Sequence, residues 1–433
     1  MAVLIALLHL FWYGIHIGDA ELWLDESSTY GIAARSLGTI FTLPTEFHSQ
    51  PPLYYLVLHF IMKVNSERWF IRGLSWFSCF LILQFVLFYF HELNLMARLL
   101  LCALFLQSAV FHYLSSSLRP YGMAAFLTLV STVMLTRMAR DPSRRRAAIY
   151  VAWTLPMLYT MAFDIGVFLG HGAFMLLAWI ADLSHGPRAF VRHQRWAVVA
   201  MAACAVGYLP YVLLAYHYQF QPNSSHNLHY ALTLAAYTGP SNEILGFSES
   251  SMVILYTLVG IALVAALLRR EPSALAWLAV FFLEIAFVWI FIPGRSVVGM
   301  QGRYLTPGYV AILVLAPLGF QELAARTRPA AWIGALLLLL WYAWPAAKAF
   351  HTALHTPAPV GTWAALHREM RTHPGKKVIF FYIGYSGQDF EYEVRDDPSV
   401  IVGTMRGHLL ASGGDNHLDP AYVSGIVDRT QAE

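Results

Sequence analysis

Charge is what this chain has least of. Only 12% of its 433 residues are charged, against 58% hydrophobic, whereas a water-soluble domain carries about 25% charged residues. That leaves too little polar surface to coat a soluble body, so lipid is the solvent for most of the chain. The net charge is only +3, too small to point to a nucleic-acid partner. Cysteine is scarce too. Cys79, Cys102 and Cys204 all lie in apolar segments, which excludes a disulfide framework and a Cys/His metal pattern. Glycine-rich phosphate loops of the P-loop or G-x-G-x-x-G kind are missing, as are internal repeats and low-complexity stretches. The first eighteen residues are apolar but lack a basic n-region and a small-x-small cleavage site. They read as a first span and not as a removed signal peptide.

What is present is a series of long apolar runs. Crossing about 30 Å of hydrocarbon takes roughly 17–25 residues. About eleven runs qualify, near 1–18, 73–91, 97–115, 119–137, 147–163, 164–181, 196–216, 251–268, 273–292, 308–322 and 330–346. Four basic clusters orient them: Arg137 with Arg140, Arg144, Arg145 and Arg146; Arg188 with Arg192 and Arg195; Arg269 with Arg270; and Arg326 with Arg328. Counting crossings puts all four on one side, which is then cytoplasmic. The parity holds only if Pro51–Val64 does not cross, and fourteen helical residues rise only about 21 Å. The other side holds a long first loop (19–72), loops at 217–250 and 293–307, and the tail from 347. In the tail, strand-like runs at Val378–Tyr382 and Ser399–Val402 suggest a small α/β unit. The expected architecture is an all-α polytopic membrane protein with about eleven transmembrane helices and interfacial helices in the first outer loop. Residues 1–346 form the membrane domain and 347–433 a small C-terminal α/β extracytoplasmic appendage.

The candidate chemistry lies on the outer side. The first loop reads Glu21-Leu-Trp-Leu-Asp25-Glu26-Ser27-Ser28-Thr29-Tyr30, after which Tyr30, Ala33, Leu37, Ile40 and Phe41 share one helical face. That pattern suits a helix along the membrane surface, with Asp25 and Glu26 just before its first turn and Ser27 or Ser28 as cap. The two acids read either as an acidic helix start in a solvated loop or as a general base at the lipid–water boundary. Next comes His48-Ser-Gln-Pro51-Pro52-Leu-Tyr54-Tyr55, where the prolines set a rigid helix entry. His48 is either a plain loop histidine or a metal or phosphate contact. Arg119 opens Arg119-Pro120-Tyr121 at the outer end of a span, where an arginine either snorkels or is paired. Arg295 and Arg303-Tyr304 lie where positive charge is normally scarce, and a guanidinium fork suits a phosphate oxygen. His226 and His229 could share a metal, although two ligands alone do not make a site. Asp164 stands at an outward turn. Glu284 is mid-span, either a functional acid or a protonated one bonded to a neighbouring helix.

Taken together, the W-L-D-E segment, P-P-L-Y-Y, R-P-Y and R-Y-L-T-P, in this order and on one side, make the chain resemble the GT-C membrane glycosyltransferases. The likeness is to the dolichyl-phosphate-mannose mannosyltransferase-like group, which includes lipid A aminoarabinose transferases, and it covers roughly residues 1–310. The resemblance implies inverting transfer of a sugar from a polyprenyl-phosphate donor to a glycan, lipid or protein acceptor. Asp25 would be the base, with Glu26 beside it. Arg303, with Arg119, Arg295 and Tyr304, would hold the carrier phosphate, and Tyr54, Tyr55, Tyr121 and Asp164 would line the pocket. Some relatives use a divalent metal ion, and His48 with His226 or His229 are the nearest counterparts of its ligands. Gln50 departs from the pattern, since relatives commonly carry a charge directly before the double proline. No D-x-D segment of the nucleotide-sugar enzymes is present. The short loops favour a bacterial enzyme, in the inner membrane with its site on the extracytoplasmic face. A transporter or flippase is the main rival, yet it would show inverted repeats and midplane polar sites, and only Glu284 resembles one. A structural or binding membrane protein is the second.

Overall fold

The computed structural model describes residues 24–48, 50–183, 187–219, 249–269, 271–291, 302–326, 377–381 and 400–404. Isolated positions are described at 9, 14, 17–19, 22, 334, 366, 368, 371–372 and 397. The helices are α1 (Leu24–Ala33), α2 (Leu37–His48), α3 (Leu53–Met62), α4 (Arg68–Phe88), α5 (Leu95–Gln107), α6 (Ala109–Ser116) and α7 (Tyr121–Arg140). There follow α8 (Arg144–Leu158), α9 (Asp164–Leu183), α10 (Pro187–Gln219), α11 (Glu249–Arg269), α12 (Pro272–Phe291) and α13 (Thr306–Arg326), the last entered through a 3-10 turn, Gly302–Leu305. Two short strands, β1 (Lys377–Phe381) and β2 (Val400–Thr404), pair in parallel with Lys377 opposite Val400.

Four helices among the described residues are long and apolar enough to cross a membrane, or up to six spans if each of two bent helix pairs counts as one. The runs expected at 1–18 and 330–346 fall almost wholly outside the described residues. α3 has ten residues, a rise of about 15 Å, too short to cross. The run expected as one span at 97–115 is broken. Ser108 ends α5, and its hydroxyl accepts from Phe111 N at 3.2 Å to start α6, with a bend of 69° between the two. A serine cap inside an apolar run is a start signal that averaged hydropathy hides.

A second correction concerns the surface helix expected along Tyr30–Phe41. The chain breaks at Ala34–Ser36, where Ser36 Oγ accepts from Thr39 N at 3.4 Å and opens a new helix. The shared face is lost: Ala33 and Ile40 are buried, while Leu37 and Phe41 are exposed.

Burial then sorts the longer helices. In α13, Tyr309 and every residue from Val310 to Ala316 are buried, so it is the central helix of the bundle. α10 instead leaves Val199, Val206, Leu213 and Tyr216 exposed, the apolar outer wall that a bilayer requires. α9 and α12 pack closely because α9 has glycine at the contact. A Cβ on Gly166 would stand 2.6 Å from Glu284 Cα, and one on Gly170 2.6 Å from Val280 Cα.

α7 spans about 30 Å and separates two chemically different ends. Its last turn carries Arg137 and Arg140. Arg137 Nε donates to Glu92 Oε1 at 2.9 Å and Arg140 Nη2 to Glu271 Oε1 at 2.9 Å. Its first turn, after Arg119-Pro120, faces the α1–α3 segment.

Candidate active site

α1 begins at Leu24, so Asp25 and Glu26 lie inside its first turn, where carboxylates complement the helix dipole. They do not precede the helix, and Ser27 and Ser28 do not cap it. Both serines are buried within α1. Neighbours in sequence, the two acids have opposite environments. The Glu26 side chain is 1% exposed and the Asp25 side chain 24%.

Glu26 is held by a fork. Arg72 on α4 donates from Nε to Oε1 at 3.1 Å and from Nη2 to Oε2 at 2.6 Å. Leu118 N donates to Oε1 at 2.5 Å, and Arg72 Nη1 also reaches Ile17 O at 3.0 Å. One ion pair therefore ties α1 to α4, to the end of the N-terminal segment and to the turn before α7. Bidentate geometry of this kind is the strong form of the carboxylate–guanidinium contact.

Asp25 meets a second arginine more loosely. Arg119 Nη2 stands 3.9 Å from Asp25 Oδ2, while Arg119 Nη1 donates to Asp25 O at 2.9 Å and to Thr29 Oγ1 at 2.8 Å. The guanidinium also lies 5.7 Å from the centre of the Tyr121 ring. Burial disfavours the Arg119 charge, but Tyr121, Tyr55 and Asp25 more than reverse this and hold its proton above the ordinary arginine range.

α3 supplies two buried tyrosines with different partners. Tyr54 OH contacts Ser75 Oγ at 3.2 Å, and Ser75 Oγ donates to Arg119 O at 3.2 Å, so Tyr54 braces the arginine from behind. Tyr55 OH has no hydrogen-bond partner among the described residues, and neither has Arg119 Nε. Burial pushes the Tyr55 hydroxyl up to about 12, so it remains a donor at neutral pH. Buried polar groups are nearly always paired. Two orphan donors beside a part-exposed carboxylate form a site that a polar ligand completes.

The α2–α3 link is pinned above the α8–α9 turn. Leu53 N donates to Tyr159 O at 3.0 Å, and Ala162 N donates to Gln50 Oε1 at 3.2 Å. Gln50, where relatives commonly carry a charge, thus has a backbone partner. Phe163 in the same turn packs against Tyr304 at 5.1 Å between ring centres, which brings the Gly302–Leu305 turn to this end of the bundle. Asp164, next in line, is fully buried and groups with Glu284 and Tyr208.

Of the candidate residues read from the sequence, the structure brings Asp25, Arg119, Tyr55 and Tyr121 together, and Tyr54 stands behind them. Arg303 lies on the 3-10 turn, but its side chain, like that of His48 at the end of α2, is outside the described residues. Arg295, His226 and His229 are outside them entirely. Arg72 was missed, because an arginine opening an apolar run reads as a membrane anchor. Among the described residues no group of three His, Cys, Asp or Glu side chains could hold a metal.

No protein-family model and no curated protein sequence matches the chain. Solved structures do. The oligosaccharyltransferase of Archaeoglobus fulgidus in complex with zinc and sulfate matches 93% of this chain at a TM-score of 0.60 and 13% identity. Its apo form matches 90% at 0.55 and 11%. ArnT from Cupriavidus metallidurans bound to undecaprenyl phosphate matches 78% at 0.54 and 15%. Both proteins are GT-C glycosyltransferases. This chain has the GT-C fold. It spans 62% to 63% of the length of those structures, and at such identities the likeness is one of fold. Within it, the Asp25–Arg119 cluster sits where α1, α3 and the start of α7 converge.

Proposed function

We propose that this GT-C chain is an inverting glycosyltransferase that moves a sugar from a polyprenyl-phosphate carrier to an extracytoplasmic glycan, lipid or protein acceptor. The observation that carries the reading is the part-exposed Asp25 carboxylate with two buried donors near it, Tyr55 OH and Arg119 Nε, that have no acceptor among the described residues. A polyprenyl-phosphate carrier is supported by ArnT, a structure of the same fold bound to undecaprenyl phosphate.

In this reading Asp25 takes the proton of the acceptor hydroxyl as its oxygen attacks the anomeric carbon. The bond from that carbon to the phosphate oxygen breaks on the opposite face, and the carrier phosphate leaves with the electron pair. Arg303 and Arg295, with Tyr304, meet the charge on the departing phosphate, where it is greatest in the transition state. Arg119 holds the Asp25 backbone carbonyl and stands beside its carboxylate. Tyr55 and Tyr121 line the sugar pocket. Glu26, tied down by Arg72, positions α1 and so aims Asp25. A divalent metal would supply further neutralisation at the phosphate, but each step above is assigned to side chains alone.

The arrangement in the membrane belongs to the same proposal. About eleven spans place the arginine clusters inside, the Asp25 cluster outside and residues 347–433 outside as a separate unit. Cysteine placed at Ser412 should react with an impermeant thiol reagent in intact cells, and labelling only after lysis contradicts that sidedness. For the activity, the purified chain is given a polyprenyl-phosphate sugar. Loss of sugar from the carrier with gain by an acceptor is expected, whereas movement of intact carrier across a vesicle without cleavage would mean a transporter.

A further inference from the structure

A second acidic cluster lies inside the bundle, away from Asp25. Asp164 opens α9 and Glu284 lies in α12, and both are fully buried. They are within electrostatic range of each other. Among the described residues neither carboxylate has a hydrogen bond of normal geometry, while backbone at Met161 faces Asp164 and backbone at Gly308 faces Glu284. Two further oxygens face them. Thr128 Oγ1 on α7 turns to the Asp164 carboxyl without reaching hydrogen-bond geometry, and it has no other partner. The Tyr208 hydroxyl on α10, also buried and unpartnered, lies within electrostatic range of Asp164. Four helices thus each contribute one oxygen-bearing side chain to one interior locus.

Glycines make the convergence possible. A Cβ on Gly166 would stand 2.6 Å from Glu284 Cα, and one on Gly308 2.6 Å from Glu284 Oε2. Backbone is therefore close on two sides of Glu284, and among the described residues no basic side chain forms an ion pair with it. Two carboxylates in a low-dielectric interior are unstable as bare anions. Such a pair is stabilised by protons or by one ion of charge two. The two hydroxyls without hydrogen-bond partners among the described residues, Thr128 and Tyr208, add two further oxygens from which a cation takes lone pairs. An all-oxygen donor set without cysteine or histidine suits hard cations.

We propose that Asp164, Glu284, Thr128 and Tyr208 form a binding site for one hard divalent cation of the magnesium or manganese class. The site is distinct from the metal position that the resemblance implies at His48 and His226 or His229, and it does not depend on the transferase reading. The ion would tie α7, α9, α10 and α12 together just below the turn where Phe163 meets Tyr304. It would thereby brace the segment carrying Arg303.

The test uses the purified full chain, stripped with a chelator and titrated with Mn2+ while the free-ion electron paramagnetic resonance signal is followed. The expected result is saturable uptake that Mg2+ displaces. Affinity should fall about tenfold or more in Asp164→Asn and in Glu284→Gln and stay unchanged in Glu271→Gln, an exposed acid at the arginine-rich end. Absence of saturable uptake in the wild-type chain overturns the site, and so does uptake that survives in both variants. The first outcome is read on the wild-type chain alone, so a variant that fails to fold does not protect the proposal. Infrared spectra add an independent arm. Carbonyl bands of protonated carboxylic acids that vanish in the two variants would mean that protons, and not a metal, neutralise the pair.

Discussion

The two ends of α7 use the same chemistry in opposite settings. At the arginine-rich end, Arg140 and Glu271 pair at 2.9 Å with side chains 40% and 43% exposed. At the other end, Arg72 and Glu26 pair at 2.6 Å with 4% and 1% exposed. An exposed pair is worth about 0–1 kcal/mol, because water and salt screen it and two long side chains must be ordered. Removing one partner from a buried pair costs about 3–5 kcal/mol, because the other charge stays desolvated and alone. The first pair lies in the arginine-rich cluster at the end of α7. The second belongs to the framework around Asp25.

The largest expected effect comes from Asp25 itself. Asp25→Asn keeps the size and much of the hydrogen bonding, so the protein should fold while turnover falls by about 10²–10⁴-fold, the usual cost of losing a general base. Turnover near the wild-type value, measured on folded protein with a lipid-phosphate donor, would reduce Asp25 to a helix-start acid. Next come the buried partners. Glu26→Gln or Arg72→Met should each destabilise the protein by about 3–5 kcal/mol in thermal or denaturant unfolding in detergent. The double variant should recover part of that loss, since no lone charge remains. Additive losses would mean that the fork does not act as a unit. Smaller is the effect expected for Arg303→Ala, about 1.5–3 kcal/mol in donor use, the range for a hydrogen bond to a charged group. Lysine should restore the charge but not the fork, and so rescue in part. Unchanged donor kinetics would remove Arg303 from the phosphate. Smallest is Arg140→Ala, where the exposed ion pair predicts a change within about 1 kcal/mol. A loss as large as that of Arg72→Met would erase the contrast between the two ends.

Much of the site was legible because its residues come in short local groups. Asp25-Glu26, Tyr54-Tyr55 and Arg119-Pro120-Tyr121 each sit at the start of a helix, where proline or acidic residues mark the turn. The division of labour between Asp25 and Glu26 was not legible. Adjacent residues on a helix point about 100° apart, and the sequence does not say which direction faces protein. The break at Ser108 is readable in principle from its capping pattern, but it lies inside an apolar run whose hydropathy is continuous. The helix expected along Tyr30–Phe41 failed for the same kind of reason, a serine cap outweighing a hydrophobic stripe.

Composition and local pattern by themselves determined that the chain belongs in lipid, that it is helical, and that its polar chemistry gathers in a few short segments. Those properties depend on transfer free energy and on turns, which act over a few residues. Partner choice depended on the tertiary structure alone. Glu26 finds Arg72 across 46 positions and Leu118 N across 92, and α9 lies close to α12 at Glu284 because Gly166 has no side chain there. Whether an acid is a base, a clamp or a ligand depends on which helix faces meet, and on whether water reaches the carboxylate once they have met.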